Sequence, residues 1–102
     1  MDSVDIKQED DITRILMPEN FTAALIPPLQ AKLKQLIGAG SRTIIFDLQA
    51  TRMLDSSGIG LLTATANSLA PVGGRMEVVA VAPDIFRLLN MMRLVERLNV
   101  SE

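Results

Sequence analysis

Met53-Leu54-Asp55-Ser56-Ser57-Gly58-Ile59-Gly60 is the stretch whose reading decides the fold, because a strand runs up to it and a helix leaves it. The approach is Thr43-Ile44-Ile45-Phe46-Asp47-Leu48, an apolar, β-branched run that reads as a buried strand, followed by a short polar connection from Gln49 to Arg52. The departure places Ile59, Leu62, Ala66 and Leu69 on one helical face from about Ser57 to Leu69. Asp55, Ser56 and Ser57 between them are residue types that cap helix N-termini. Gly58 and Gly60 follow in the first turns, where glycine costs helix stability, so something must approach the backbone closely there. A serine at a strand-to-helix turn is exposed, and the positive end of a helix dipole favours a phosphate on it.

Outward toward the N-terminus, Val4 to Gln8 and Ile12 to Met17 read as a hairpin around an acidic Glu9-Asp10-Asp11 tip. Val4, Ile6 and Ile12 supply its covered face. Pro18-Glu19-Asn20 breaks the second strand. A helix carrying Leu25, Leu29, Leu33, Leu36 and Ile37 follows, beginning near Ile26 or Pro27 because Pro27 and Pro28 fit only a first turn. Phe21 to Leu25 is then a turn or a short separate helical piece, and Gly38-Ala39-Gly40 ends the helix.

Outward toward the C-terminus, Pro71 and Gly73-Gly74 make a turn into Met76–Val81, apolar enough to read as a central strand. Pro83 and Asp84 open a last helix with a core stripe of Ile85, Leu88, Leu89 and Met92. Phe86 reads as half-buried, Met91 and Met92 as core filler, and Arg87, Arg93 and Arg97 as a solvated basic edge. Val95–Val100 adds a final short strand. The order β-β-α-β-α-β-α-β implies an α/β fold: parallel crossovers with an antiparallel edge from the opening hairpin, in a mixed sheet of four to five strands.

The 102 residues make a single domain, 1–102, and 48% apolar with 22% charged residues is a globular composition. At 3% aromatic the core is aliphatic, and a net charge of −2 without a basic run argues against nucleic acid or an anionic membrane as partner. There is no cysteine, no membrane-length apolar run, and an acidic, polar start unlike a secretory signal; a cytoplasmic location is expected. The absence of histidine removes the commonest general base and metal ligand. A G-x-S-x-G nucleophile turn fails because Leu54 stands two residues before Ser56. A dinucleotide loop fails at Thr63, and no Gly-Lys-Ser/Thr phosphate loop occurs. Glu9-Asp10-Asp11 reads as a solvated turn rather than a metal site, so neither metal nor cofactor is expected.

An ordinary N-cap alone would explain Asp55-Ser56-Ser57. The small residues Gly60, Thr63, Ala64 and Asn67 add to it, because at about 100° per residue they cluster beside the Ser56 end, off the apolar stripe. A smooth face next to a modifiable serine suits a docking partner.

Asp47-Leu48, Met53 to Gly60, Gly73-Gly74 before a strand, and Ala82-Pro83 with Arg87-Leu88 resemble the STAS domain family, in particular bacterial anti-sigma factor antagonists of the SpoIIAA and RsbV kind. The resemblance covers nearly the whole chain. It implies phosphorylation at the first serine of the pair, Ser56. Together with the small face of Gly60, Thr63, Ala64 and Asn67, the expected partner-binding residues around it are Asp55, Ser57, Gly58 and Glu19. The implied partners are an ATP-binding serine kinase of the anti-sigma type and a PP2C-type phosphatase. The domain would then be a monomeric substrate and binding module rather than an enzyme. Three places depart from the family pattern. Glu19 stands in for an aspartate near the phosphosite, Pro27-Pro28 is unusual in the first helix, and Arg93 takes a place usually held by glycine. The family's final helix has no counterpart before Glu102. The other role the resemblance allows is a non-switching STAS subunit of a transporter or stressosome-like complex.

Overall fold

A computed structural model describes residues 4–102. The chain opens with a hairpin of β1 (Asp5–Glu9) and β2 (Ile12–Leu16), turned by Asp10 in the left-handed region at φ 56°. β2 pairs in parallel with β4 (Thr43–Asp47), and β4 in parallel with β6 (Arg75–Val79), giving the order β1-β2-β4-β6. The expected mixed sheet with an antiparallel edge is present, with four strands of the four to five expected. Three helices connect and cover it: α1 (Ile26–Gly38), α2 (Ser56–Leu69) and α3 (Pro83–Met91). Proline occupies the first turn of α1, as its missing amide allows, and a 3-10 turn over Ala23–Leu25 precedes it.

The core lies between the helices and one sheet face. Ile15, Ile44, Phe46, Met76 and Val78 from the strands, with Met17 and Leu48 just past their ends, meet Leu29, Leu33, Leu62, Leu69, Ile85 and Leu89 from the helices. Phe21 stacks on Phe46 with ring centroids 6.4 Å apart, tying the segment before α1 to the middle of the sheet. A buried hydroxyl pair, Thr13 and Ser41 at 2.7 Å, joins β2 to the loop after α1.

Four expectations change. Ile12 is exposed, because β2 is apolar in both phases and the helices cover the face carrying Thr13, Ile15 and Met17. β6 lies at the end of the sheet rather than its centre, bordered beyond only by a single parallel bridge from Val78 to Val100. That bridge is all that forms of the expected last strand; residues 95–98 run as a turn in which Leu98 is buried. In α3 the buried pair is Ile85 and Leu89, with Phe86 half-buried, while Leu88, Met91 and Met92 are 40%, 81% and 47% exposed. The helix is amphipathic, but the core covers only the Ile85–Leu89–Phe86 part of its apolar side and leaves the Leu88 and Met92 flank outside.

Candidate functional site

Two chain segments converge at the N-terminus of α2. Asn20–Phe21 (β3) and Met53–Leu54 (β5) form a two-residue parallel pair outside the main sheet. The Glu19 carbonyl accepts from the amides of Arg52 at 2.8 Å and Met53 at 3.0 Å, and the buried Thr51 hydroxyl donates to the Pro18 carbonyl at 2.8 Å. Asp47, at the end of β4, accepts from the Gln49 amide and from Arg14, each at 2.9 Å, fixing the start of the connection. These bonds hold Glu19, with its exposed side chain, on the segment beside the one that leads into α2.

Asp55 is the N-cap: its backbone is extended and its Oδ1 accepts from the Gly58 amide at 3.0 Å. Ser56 is therefore the first helical residue, exposed, with its hydroxyl not used as the cap. Ser57 is half-buried and turns toward α1, where with Ala23, Ile26, Pro27, Gly60 and Ala64 it lines a cavity of about 360 Å³. The helix terminus beside Ser56 presents amides and the positive end of the dipole, a favourable surrounding for a phosphate ester.

The two glycines do different things. A Cβ on Gly58 would lie 2.6 Å from Leu54 Cδ1 and 2.8 Å from the Phe21 carbonyl oxygen, so Gly58 lets α2 seat on β3 and β5. A Cβ on Gly60 would meet nothing within 4 Å. The close approach expected at this motif is thus internal at Gly58, which is buried, and open to the outside at Gly60, which is exposed.

The other residues singled out in the sequence fall on one outward arc of α2. Ala64 is exposed, Thr63 is half-buried with its hydroxyl donating to the Ile59 carbonyl at 3.1 Å, and Asn67 accepts from Arg97 at 3.0 Å. The buried side of α2 is wider than the sequence stripe, adding Leu61 and Thr65 to Ile59, Leu62 and Leu69. Ala23, Ile26, Gln30 and Leu61, which with Pro27 border Ser57 and Gly60, carry no sequence signal of a site. The proline pair was the one local sign that this end of α1 is special. Among the described residues no group of three potential metal ligands occurs, and no helix is long and apolar enough to cross a membrane.

A family model described as STAS domain matches residues 3–102. Among solved structures, the anti-sigma factor antagonist SpoIIAA in its unphosphorylated form is similar at TM-score 0.86 and 20% identity, over 96% of this chain and 85% of that one. The Bacillus cell fate determinant SpoIIAA in the phosphorylated form is similar at 0.80 and 20%, over 96% and 88%. A sulfate transporter family protein from Wolinella succinogenes is similar at 0.75 and 16%, over 90% and 75%. At these identities the structural likeness is one of fold, and the fold is that of the anti-sigma factor antagonists. With the family model matched along nearly its whole length, this chain belongs to the STAS domain family.

Proposed function

We propose that the protein is a phospho-switch in a partner-switching pathway, with Ser56 as the switch residue. Unphosphorylated, it docks on an ATP-binding serine kinase of the anti-sigma type through the α2 N-terminus and the outward arc beside it. The kinase transfers the γ-phosphoryl group of ATP to Ser56 Oγ, releasing ADP and the hydroxyl proton. A PP2C-type phosphatase reverses this by hydrolysis to serine and inorganic phosphate. Phosphate brings about −1.5 to −2 charges and bulk to the middle of the docking face, and the complex separates. In this reading the domain is a cytoplasmic, monomeric substrate and binding module, not a catalyst. The output is release of a sigma factor or a related programme such as biofilm formation or secretion.

The observation that supports this reading most is the division of labour at the cap. Asp55 holds the helix terminus, so the exposed Ser56 hydroxyl has no structural duty and can be esterified without unfolding α2. The likeness in fold to SpoIIAA, known in unphosphorylated and phosphorylated forms, adds to it.

The test is the affinity of the source organism's ATP-binding serine kinase for three forms of the protein. The unaltered chain and Ser56→Ala bind alike, and Ser56→Ala cannot be released with ATP. The phosphorylated form binds at least tenfold more weakly, and Ser56→Asp lies between. Equal affinity of the phosphorylated and unphosphorylated forms contradicts the switch. The fold shared with a transporter family protein supports a second reading, a non-switching scaffold subunit, which predicts a stable co-purifying assembly in place of a transient complex.

A further inference from the structure

Beside Ser57, the cavity described above runs on into a second of about 300 Å³, and the two share Gln30, Leu61 and Ala64. Together they form one trough between α1 and α2. Its floor is the buried pair Leu33 and Leu61, and Ile37 and Lys34 stand at the end far from the phosphosite. On the α2 side the lining residues Ser57, Gly60, Ala64 and Ser68 follow each other at intervals of three and four. That spacing keeps them in one row of small side chains, about 17 Å long at the helical rise of 1.5 Å. A trough of this length, small along one wall and apolar at the base, matches the ridge of a helix of three turns.

Gly60 carries the argument further. The fold does not need glycine there, since a Cβ would touch nothing within 4 Å, yet glycine in a helix costs about 1 kcal/mol relative to alanine. A bare backbone there leaves room for a surface that comes from outside. Charge says what kind of surface. All 12 Asp and Glu residues of this net −2 chain lie outside residues 20–46 and 56–76, the segments that contain both walls. α2 carries no charge, and α1 carries only Lys32 and Lys34.

We propose that the α1–α2 trough receives an amphipathic helix of the partner, its apolar ridge over Leu61 and Ala64 and a carboxylate at its far end against Lys34. This rests on the docking reading above and names the element by which the kinase would hold the domain while Ser56 is phosphorylated.

Phosphorylation of Ser56 by the source organism's kinase tests it, read as separate KM and kcat for the protein substrate. Ala64→Trp fills the trough and raises KM by thirtyfold or more. Lys34→Glu raises it roughly five- to tenfold at low salt and less at high salt, as a rim charge does. Gly60→Ala raises KM while making the free protein more stable, so its effect is not misfolding. Arg75→Glu, on β6 away from the trough, leaves KM unchanged. Because the chain has no cysteine, a cysteine-directed cross-linker on Ala64→Cys then marks the partner segment, expected to be an acidic amphipathic helix. Ala64→Trp and Lys34→Glu with KM within twofold of the unaltered chain, or cross-linking to a basic or non-helical segment, overturns the trough assignment and leaves the switch standing. No phosphoryl transfer to the unaltered chain overturns both.

Discussion

Asp55 Oδ1 accepts a hydrogen bond from the Gly58 amide at 3.0 Å, and this one contact makes Asp55 the helix cap and leaves the exposed Ser56 hydroxyl free of that role. Asp55→Ala should cost about 1 kcal/mol of stability, the usual loss of an N-cap, whereas Ser56→Ala should leave stability within about 0.5 kcal/mol. Urea unfolding of the two variants measures both. A larger loss for Ser56→Ala would mean that serine helps to hold the helix.

Gly58→Ala should destabilise by about 1–3 kcal/mol, because the added methyl group meets the Phe21 carbonyl as well as the Leu54 side chain. Backbone cannot move aside as a side-chain tip can. Thermal unfolding of Gly58→Ala beside Gly60→Ala should shift in opposite directions.

Arg93 and Ala80 sit in the left-handed region at φ 60° and 57° without being glycine. Arg93→Gly and Ala80→Gly should each stabilise by about 0.5–1 kcal/mol, the relief of the Cβ clash less the entropy that glycine adds to the unfolded chain. Denaturant midpoints test this, and lowered midpoints would show that the side chains contribute more than the strain costs.

The buried Thr13–Ser41 pair should behave as a unit. Thr13→Val alone leaves the Ser41 hydroxyl with only a 3.4 Å contact to the Asp11 carbonyl and should cost about 1–3 kcal/mol. Adding Ser41→Ala should recover part of that loss, and a strictly additive double variant would show no coupling between them.

What the sequence made legible was local. The run from Thr43 to Leu69 could be placed because strand, cap and helix signals lie within thirty residues and agree, and Arg93 drew notice as a residue in a glycine's place. What it hid depends on which faces meet. Ile12 and Ile15 are equally apolar, and only the helices covering one side decide between them. The pair of β3 and β5 is two residues long and joins segments more than thirty residues apart, so no periodicity betrays it, yet it brings Glu19 beside the segment that leads into Ser56. β6 looked central because Met76–Val81 is nearly continuous in apolar residues, but the cover of Met76 and Val78 comes from helices and the Val100 bridge rather than from a further strand. The trough between α1 and α2 exists only once the helices are packed, and its one sequence trace is the absence of Asp and Glu from both.

The most direct test of the account is the intact mass of the protein isolated from its own cells, beside Ser56→Ala and Ser57→Ala versions. The account predicts a species heavier by one phosphate in the unaltered chain and in Ser57→Ala, and its loss in Ser56→Ala. A phosphorylated species that survives Ser56→Ala, or none in any version even with the phosphatase removed, would contradict it.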